Sequence, residues 1–223
     1  YQQKILYAQI NPHFLYNSLS LINSKAIISG QDEISNMVLL LSTFYRTALN
    51  KGKDMTTLEN ELLNIQSYVQ IQLLSYSEPI QVAIQEYRYG GRYSYFFDVD
   101  ERCLDFKMPC MILQPLVENA LDHGLKNSSR PDKSLHLSAD RDKGCLDGDE
   151  KEYIVIRIRD NGVGMEEETV RLLFEVQTSG YGMKNVNDRL RLLYGSDYSL
   201  VIRSTPGEGT LAVLMVPVSG AMD

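Results

Sequence analysis

The apolar residues of this chain change their spacing once, and that change dictates two kinds of structure. In the first third, Ile5, Ala8, Pro12, Leu15, Leu19, Ile22 and Ala26 alternate steps of three and four, the repeat of a helical-bundle seam. Gly30 is a stop signal for that helix. A second helix is predicted over Asp32–Leu49, with Ile34, Met37, Val38, Leu41 and Tyr45 inward, and a third carries Leu58, Leu62, Ile65 and Val69. Thr56 and Thr57, just ahead of it, are its candidate caps. Pro79 and the Gly90-Gly91 pair then punctuate the chain. Beyond them Tyr153–Arg159 alternates strictly, as a half-buried strand must. Further strands are predicted at Arg92–Val99, Leu135–Ala139, Tyr198–Ser204 and Thr210–Val216, and helices at Met111–Leu121, Glu166–Phe174 and Gly182–Tyr194. Asp140–Glu152 reads as a polar hairpin connection turning at Gly144 and Gly148. The expected fold class is α+β: a helical bundle over residues 1–76, a junction over 77–91, and an α/β sandwich over 92–223 whose mixed sheet is covered on one face by helices.

Composition removes several functions. Hydrophobic residues make up 43% of the 223, enough for a buried core, and the net charge of −7 argues against nucleic acid as the main partner. Cys103, Cys110 and Cys145 form no C-x-x-C pair and read as buried thiols in a reducing compartment. His13, His123 and His136 are too scattered for a zinc site. There is no signal peptide and no apolar run long enough to cross a bilayer. Tyr1 opens directly onto a helical pattern without Met, so the chain reads as an excised fragment whose membrane attachment, if any, lies in a missing N-terminal part.

Two segments carry recognisable chemistry. Arg159-Asp160-Asn161-Gly162-Val163-Gly164 follows the clearest strand. A buried carboxylate at a strand end can accept a hydrogen bond from the amino group of adenine and would repel the carbonyl that guanine places there. Gly162 and Gly164 would allow close backbone approach and positive φ. Taken alone, Asp-Asn-Gly is equally ordinary turn chemistry. The second segment is Leu113–Gly124, LQPLVENALDHG, where Gln114, Glu118, Asn119, Asp122 and His123 crowd onto one short helix that is otherwise apolar. His123 follows Asn119 by one helical turn, and Lys126 lies just past the end, placed to meet a phosphate.

With Ser179–Asn185 (SGYGMKN) and Pro206–Thr210 (PGEGT), these segments resemble, in order, the four nucleotide boxes of the GHKL ATPase superfamily of gyrase, Hsp90, MutL and the sensor histidine kinases. Upstream, Gln9–Leu19 (QINPHFLYNSL) is similar to the phosphoacceptor box of the LytS-like sensor kinases. The resemblance implies ATP and Mg²⁺ as ligands. It assigns the metal to Asn119 and nucleotide contacts to Asp122, His123 and Gly124. Gly180 and Gly182 would open a helix whose free N–H groups attract phosphate, below a mobile lid over approximately Met165–Lys184. Thr210 would support the base beside Asp160.

The same resemblance makes His13 the phosphoacceptor. On a regular helix it lies roughly 130° from the centre of the seam, away from the bundle core. Pro12 should kink that helix or expose the Ala8 carbonyl. Phe14 stands where many sensor kinases place an acidic base, which leaves Asn17 to orient the imidazole and Glu118 as candidate base. The family pattern also predicts a shorter connection after Tyr68–Gln72 than Leu73–Gln85 provides. The implied protein is an ATP-dependent protein-histidine kinase that autophosphorylates His13 and passes the phosphoryl group to an aspartate of a response regulator. It would be a homodimer through the bundle, and the cytoplasmic portion of a bacterial plasma-membrane protein. A degenerate kinase that binds ATP without transfer, and a GHKL ATPase using Glu118 as base for water, remain open alternatives.

Overall fold

The computed structural model describes residues 12–75, 93–146, 149–175 and 181–218. Ile5, Ala8, Gly180 and residues 76–85 of the long connection lie outside them. The chain divides into two units, one built from the helices together with Lys107–Met111 and the other from the sheet and its covering helices.

The helical unit contains α1 (Pro12–Ile28), α2 (Asp32–Leu49) and α3 (Leu58–Ser75). Gly30 ends α1 at φ +64°, and the N–H of Gln31 reaches back to the Ala26 carbonyl at 2.9 Å. Thr57 caps α3 through the N–H of Asn60, at 3.3 Å. The predicted inner face of α3 is buried throughout: Leu58, Ile65 and Val69 are at most 1% exposed. On α2 the expected face is half wrong. Val38 is buried beside Ser35, whereas Ile34 and Met37 are 48% and 41% exposed. The helix is apolar around more of its circumference than one protomer covers. Asn64, buried, donates to the Phe44 carbonyl and Thr47 Oγ1 and so fixes α3 against α2.

A short strand β1 (Met55–Thr57) pairs antiparallel with β3 (Lys107–Pro109), which arrives from far along the chain. This graft is secured twice more. Glu61 accepts the Met111 N–H at 2.6 Å, and Asn50 Nδ2 donates to Cys110 Sγ at 2.8 Å.

The second unit is a five-stranded mixed sheet of order β2 (Tyr93–Val99), β4 (Lys133–Leu146), β5 (Asp149–Asp160), β7 (Gly209–Pro217), β6 (Val201–Thr205). The β2–β4 pair is parallel and the others antiparallel. Strand alternation buries Leu135, Leu137, Ile154, Ile156, Ile158, Ala212 and Leu214 on one face and leaves His136, Arg159 and Arg203 exposed on the other. This is the α+β class expected. The helices are α4 (Gln114–Glu118), α5 (Glu167–Glu175) and α6 (Tyr181–Tyr194).

Two expectations need correction. Asp140–Glu152 is mostly strand, because Asp140–Leu146 keeps register with Asp149–Val155. The helix expected from Met111 begins only at Gln114, since Met111 adopts φ +54°, outside the helical region. We predict that Ile156→Ala, at a position 0% exposed on the central strand, weakens this unit by about 2–5 kcal/mol. Hydrogen exchange of the β5 amides will report the loss.

Candidate nucleotide and phosphoacceptor sites

The strand β5 delivers Asp160 to the end of the sheet on its covered face, at 4% exposure. Its Oδ1 accepts the N–H of Gly162 at 2.8 Å, and the Thr210 backbone also donates to the carboxylate. Burial nevertheless dominates these donors and lifts the carboxyl from its ordinary 3.8 to about 6. The Gly162 and Thr210 donors do not exhaust an ionised carboxylate, which offers about four lone-pair sites. The residues therefore fit an exocyclic amino donor, as adenine would supply.

The walls around that carboxylate are bare backbone. A Cβ on Gly124 would stand 2.8 Å from Asp160 Oδ1, and one on Gly162 only 2.3 Å from the Gly124 carbonyl carbon. Gly162 does not use the expected positive φ; its role is close approach, while Gly164 does adopt φ +66°. Thr210 lies directly opposite Asp160 in the β5–β7 register. Ser204 gives its single O–H to the Gly209 carbonyl, so the 2.8 Å contact with Thr210 Oγ1 takes its proton from Thr210. Ser204 also accepts the Met165 N–H. A cavity of about 460 Å³ lined by Val170, Ile202, Arg203 and Leu211 adjoins Asp160 and Thr210.

The polar helix is not a regular α-helix. After Glu118 it widens into a π-helix, Asn119–Leu125, with the Lys126 N–H closing on the Leu121 carbonyl five residues back at 2.9 Å. Such segments are rare and cluster at functional sites. Asn119 and His123, four residues apart, remain about one turn apart on this wider winding. Asn119, Asp122, His123 and Gly124 all belong to this segment; Gly124 is buried, His123 and Lys126 are exposed, and Glu118, Asn119 and Asp122 are half-buried. Asn127 Nδ2 satisfies the carbonyls of Asp122 and His123, each at 3.2 Å. Gly182 falls inside the first turn of α6, which begins at Tyr181, and a Cβ there would meet Pro115 at 2.8 Å. Of the expected lid, α5 is an ordinary helix with an exposed acidic first turn, and residues 176–180 lie outside the described ones.

His13 is exposed near the start of α1, with Asn17 Nδ2 3.3 Å from its Nδ1. Phe14 beside it is 71% exposed. Any bend at Pro12 would fall on residues outside the described ones.

Sequence reasoning missed Ser204, and it missed Asn161, whose amide clamps the Ser134 N–H and the Asp132 carbonyl at 2.7 Å each. Ser204 carries no local sequence signal, and Asn161, although it stands beside Asp160 in the quoted motif, gives no sign of the distant segment that it ties down. It missed the π-helix as well, because polar crowding marks a site but not its winding.

The ionisation of Asp160 bears on stability with a definite sign. Its folded value lies above its ordinary one, so the stabilising protonated form is complete below pH 3.8 and lost as pH rises through about 6. Asp160→Asn should therefore stabilise this unit at pH 7, by up to about 3 kcal/mol at 1.36 kcal/mol per pKa unit. Hydrogen exchange of β5 amides at pH 7 tests this; a loss of protection would contradict it.

Comparison with known proteins agrees with this geometry. Residues 1–80 match the family model for histidine kinase, and residues 106–220 match that for histidine kinase-, DNA gyrase B- and HSP90-like ATPases. The sensor histidine kinase YesM of Bacillus subtilis is 33% identical over 96% of this chain, which spans 33% of that relative. The sensor protein LytS of Staphylococcus epidermidis is 28% identical over 99% of the chain, which spans 34% of that relative. The chain thus spans about a third of the length of the curated relatives it matches. Among solved structures, a histidine kinase domain from a blue-light-activated histidine kinase of Erythrobacter litoralis aligns with TM-score 0.51 at 15% identity, covering 93% of this chain and 94% of that one. Buried carboxylate, bare glycine walls and a histidine-bearing helix thus meet two consecutive family matches, and the chain belongs to the histidine kinase-, DNA gyrase B- and HSP90-like ATPases, with a segment that matches the histidine kinase model ahead of the ATPase domain.

Proposed function

We propose that this chain is the catalytic core of a two-component kinase: it binds Mg-ATP, autophosphorylates His13, and passes the phosphoryl group to an aspartate of a separate response regulator. The observation that carries the reading is the coexistence of the buried Asp160 acceptor and the exposed His13–Asn17 pair on one chain of this family. The exposed apolar residues Leu21, Ile22, Ile28 and Leu39 support a homodimer, since a second copy would cover a seam that one protomer leaves open. We place the chain as the cytoplasmic portion of a longer bacterial plasma-membrane protein; among the described residues no helix is long and apolar enough to cross a membrane.

In this mechanism Asp160 accepts the adenine amino group, Gly162 and Gly164 admit the base, and Thr210 flanks it. Asp122, His123, Gly124 and Lys126, with Gly180 and with Gly182 in the first turn of α6, hold the phosphates. Among the described residues no three His, Cys, Asp or Glu side chains converge on a metal position, so the Asn119 amide oxygen would hold an ion that arrives on the nucleotide. When bound, Mg²⁺ neutralises charge on the phosphate oxygens. At His13, the Asn17 amide selects the tautomer. Its Nδ2 lies 3.3 Å from Nδ1, which makes Nδ1 the acceptor and puts the ring proton on Nε2, the nitrogen that would meet the phosphorus. A bond forms from Nε2 to the γ-phosphorus while the bond to the ADP oxygen breaks, and the imidazole proton passes to a base, for which Glu118 is our candidate.

Two measurements test the proposal. Incubation with γ-labelled ATP should leave acid-labile label on the chain that is absent from His13→Gln. Nucleotide binding without label would favour the degenerate kinase, and steady phosphate release without phosphoprotein would favour the ATPase reading. Separately, ADP affinity of the parent chain relative to Asp160→Asn should fall about tenfold between pH 7 and pH 5, as the carboxyl with a value of about 6 takes up its proton. A ratio independent of pH would remove Asp160 from the base site.

A further inference from the structure

Gln114, the first residue of α4, is 6% exposed, and its Nε2 donates to Glu118 Oε1 at 2.7 Å across one helical turn. Its Oε1 is buried and finds no hydrogen-bond partner among the described residues. The amide cannot relieve this by rotating, because that would set its oxygen against the Glu118 carboxylate, two acceptors face to face. A buried amide with one unmatched acceptor is destabilising relative to an apolar side chain of similar size. Packing of α4 therefore does not account for Gln114; donation to Glu118 does.

We infer that Gln114 is a positioning residue for Glu118, holding one carboxylate oxygen and leaving the other to meet the proton removed during phosphotransfer. This rests on the reading of Glu118 as base. The charge-assisted bond restricts the rotation of the carboxylate. That effect does not concern nucleotide affinity, so the residue should act on turnover alone.

The test uses the 223-residue chain with Gln114→Met and Gln114→Glu, each followed by single-turnover autophosphorylation, ADP calorimetry and thermal melting. Gln114→Met keeps the volume and removes both the donor and the orphan acceptor. It should melt no lower than the parent and bind ADP equally, yet lose on the order of tenfold in rate. Gln114→Glu keeps the length but replaces the donor by a second acceptor facing Glu118. It should bind ADP as the parent does and lose at least as much rate as Gln114→Met. Parent-like rates in Gln114→Met or in Gln114→Glu overturn the inference while Glu118 stands. Should Glu118→Gln itself retain the parent rate, the base assignment falls and the inference with it, a result separable from loss of label in His13→Gln. If either variant unfolds, the other's rate and affinity still decide.

Discussion

Everything in the ATPase unit is arranged around one unfavourable placement, a carboxylate at 4% exposure at the end of β5. Burial raises it to about 6, so at neutral pH the fold carries an ionised group it would be more stable without. The surroundings limit that cost with backbone donors from Gly162 and Thr210 and leave acceptor capacity unused. They also keep side chains away, because Gly124 and Gly162 meet where no Cβ fits. A site that keeps a charged acceptor dry gains discrimination when the matching donor arrives, since a mismatched ring would leave the same charge opposed by a carbonyl. Instability of the empty site and selectivity of the filled one have the same cause.

The fold was legible where one physical signal dominated. The inner stripe of α3 and the alternation of Tyr153–Arg159 each follow from burial of a single face, and both reappear in the structure. Legibility failed where burial was shared. Ile34 and Met37 look inward in sequence but stand exposed, because α2 has apolar residues on more than one side. Asp140–Glu152 looked like a loop because polar residues cover both faces there, yet ladder pairing needs only backbone groups. The α4 start was displaced by the positive φ of Met111, which no periodicity encodes.

At the site, residue types that act locally could be read directly. Asp160 with its glycines, and the polar crowd from Gln114 to His123, are contiguous in sequence and contiguous in space. Residues that act by bridging could not. Ser204 joins Met165, Gly209 and Thr210 from a strand whose own alternation is unremarkable, and Asn161 ties the end of β5 to the start of β4. The hydroxyl and amide chemistry is the same as in any turn; only the strand order makes it part of a site.

Strand β3 shows how connectivity constrains this architecture. It follows β2 in sequence but completes the two-stranded sheet of the helical unit, so the chain enters that unit a second time before reaching α4. Three kinds of interaction hold it there: the ladder to β1, the Glu61 carboxylate on the Met111 N–H, and the contacts of Cys110 with Asn50 and the Lys53 carbonyl. Only Ile112 and Leu113 separate Met111 from Gln114, the residue that fixes Glu118. Cutting the chain after residue 91 would strip β3 of β1 and Met111 of its carboxylate, and the disturbance would begin three residues ahead of Gln114 and seven ahead of the candidate base Glu118. The two units are therefore separable as cores but not as sequences.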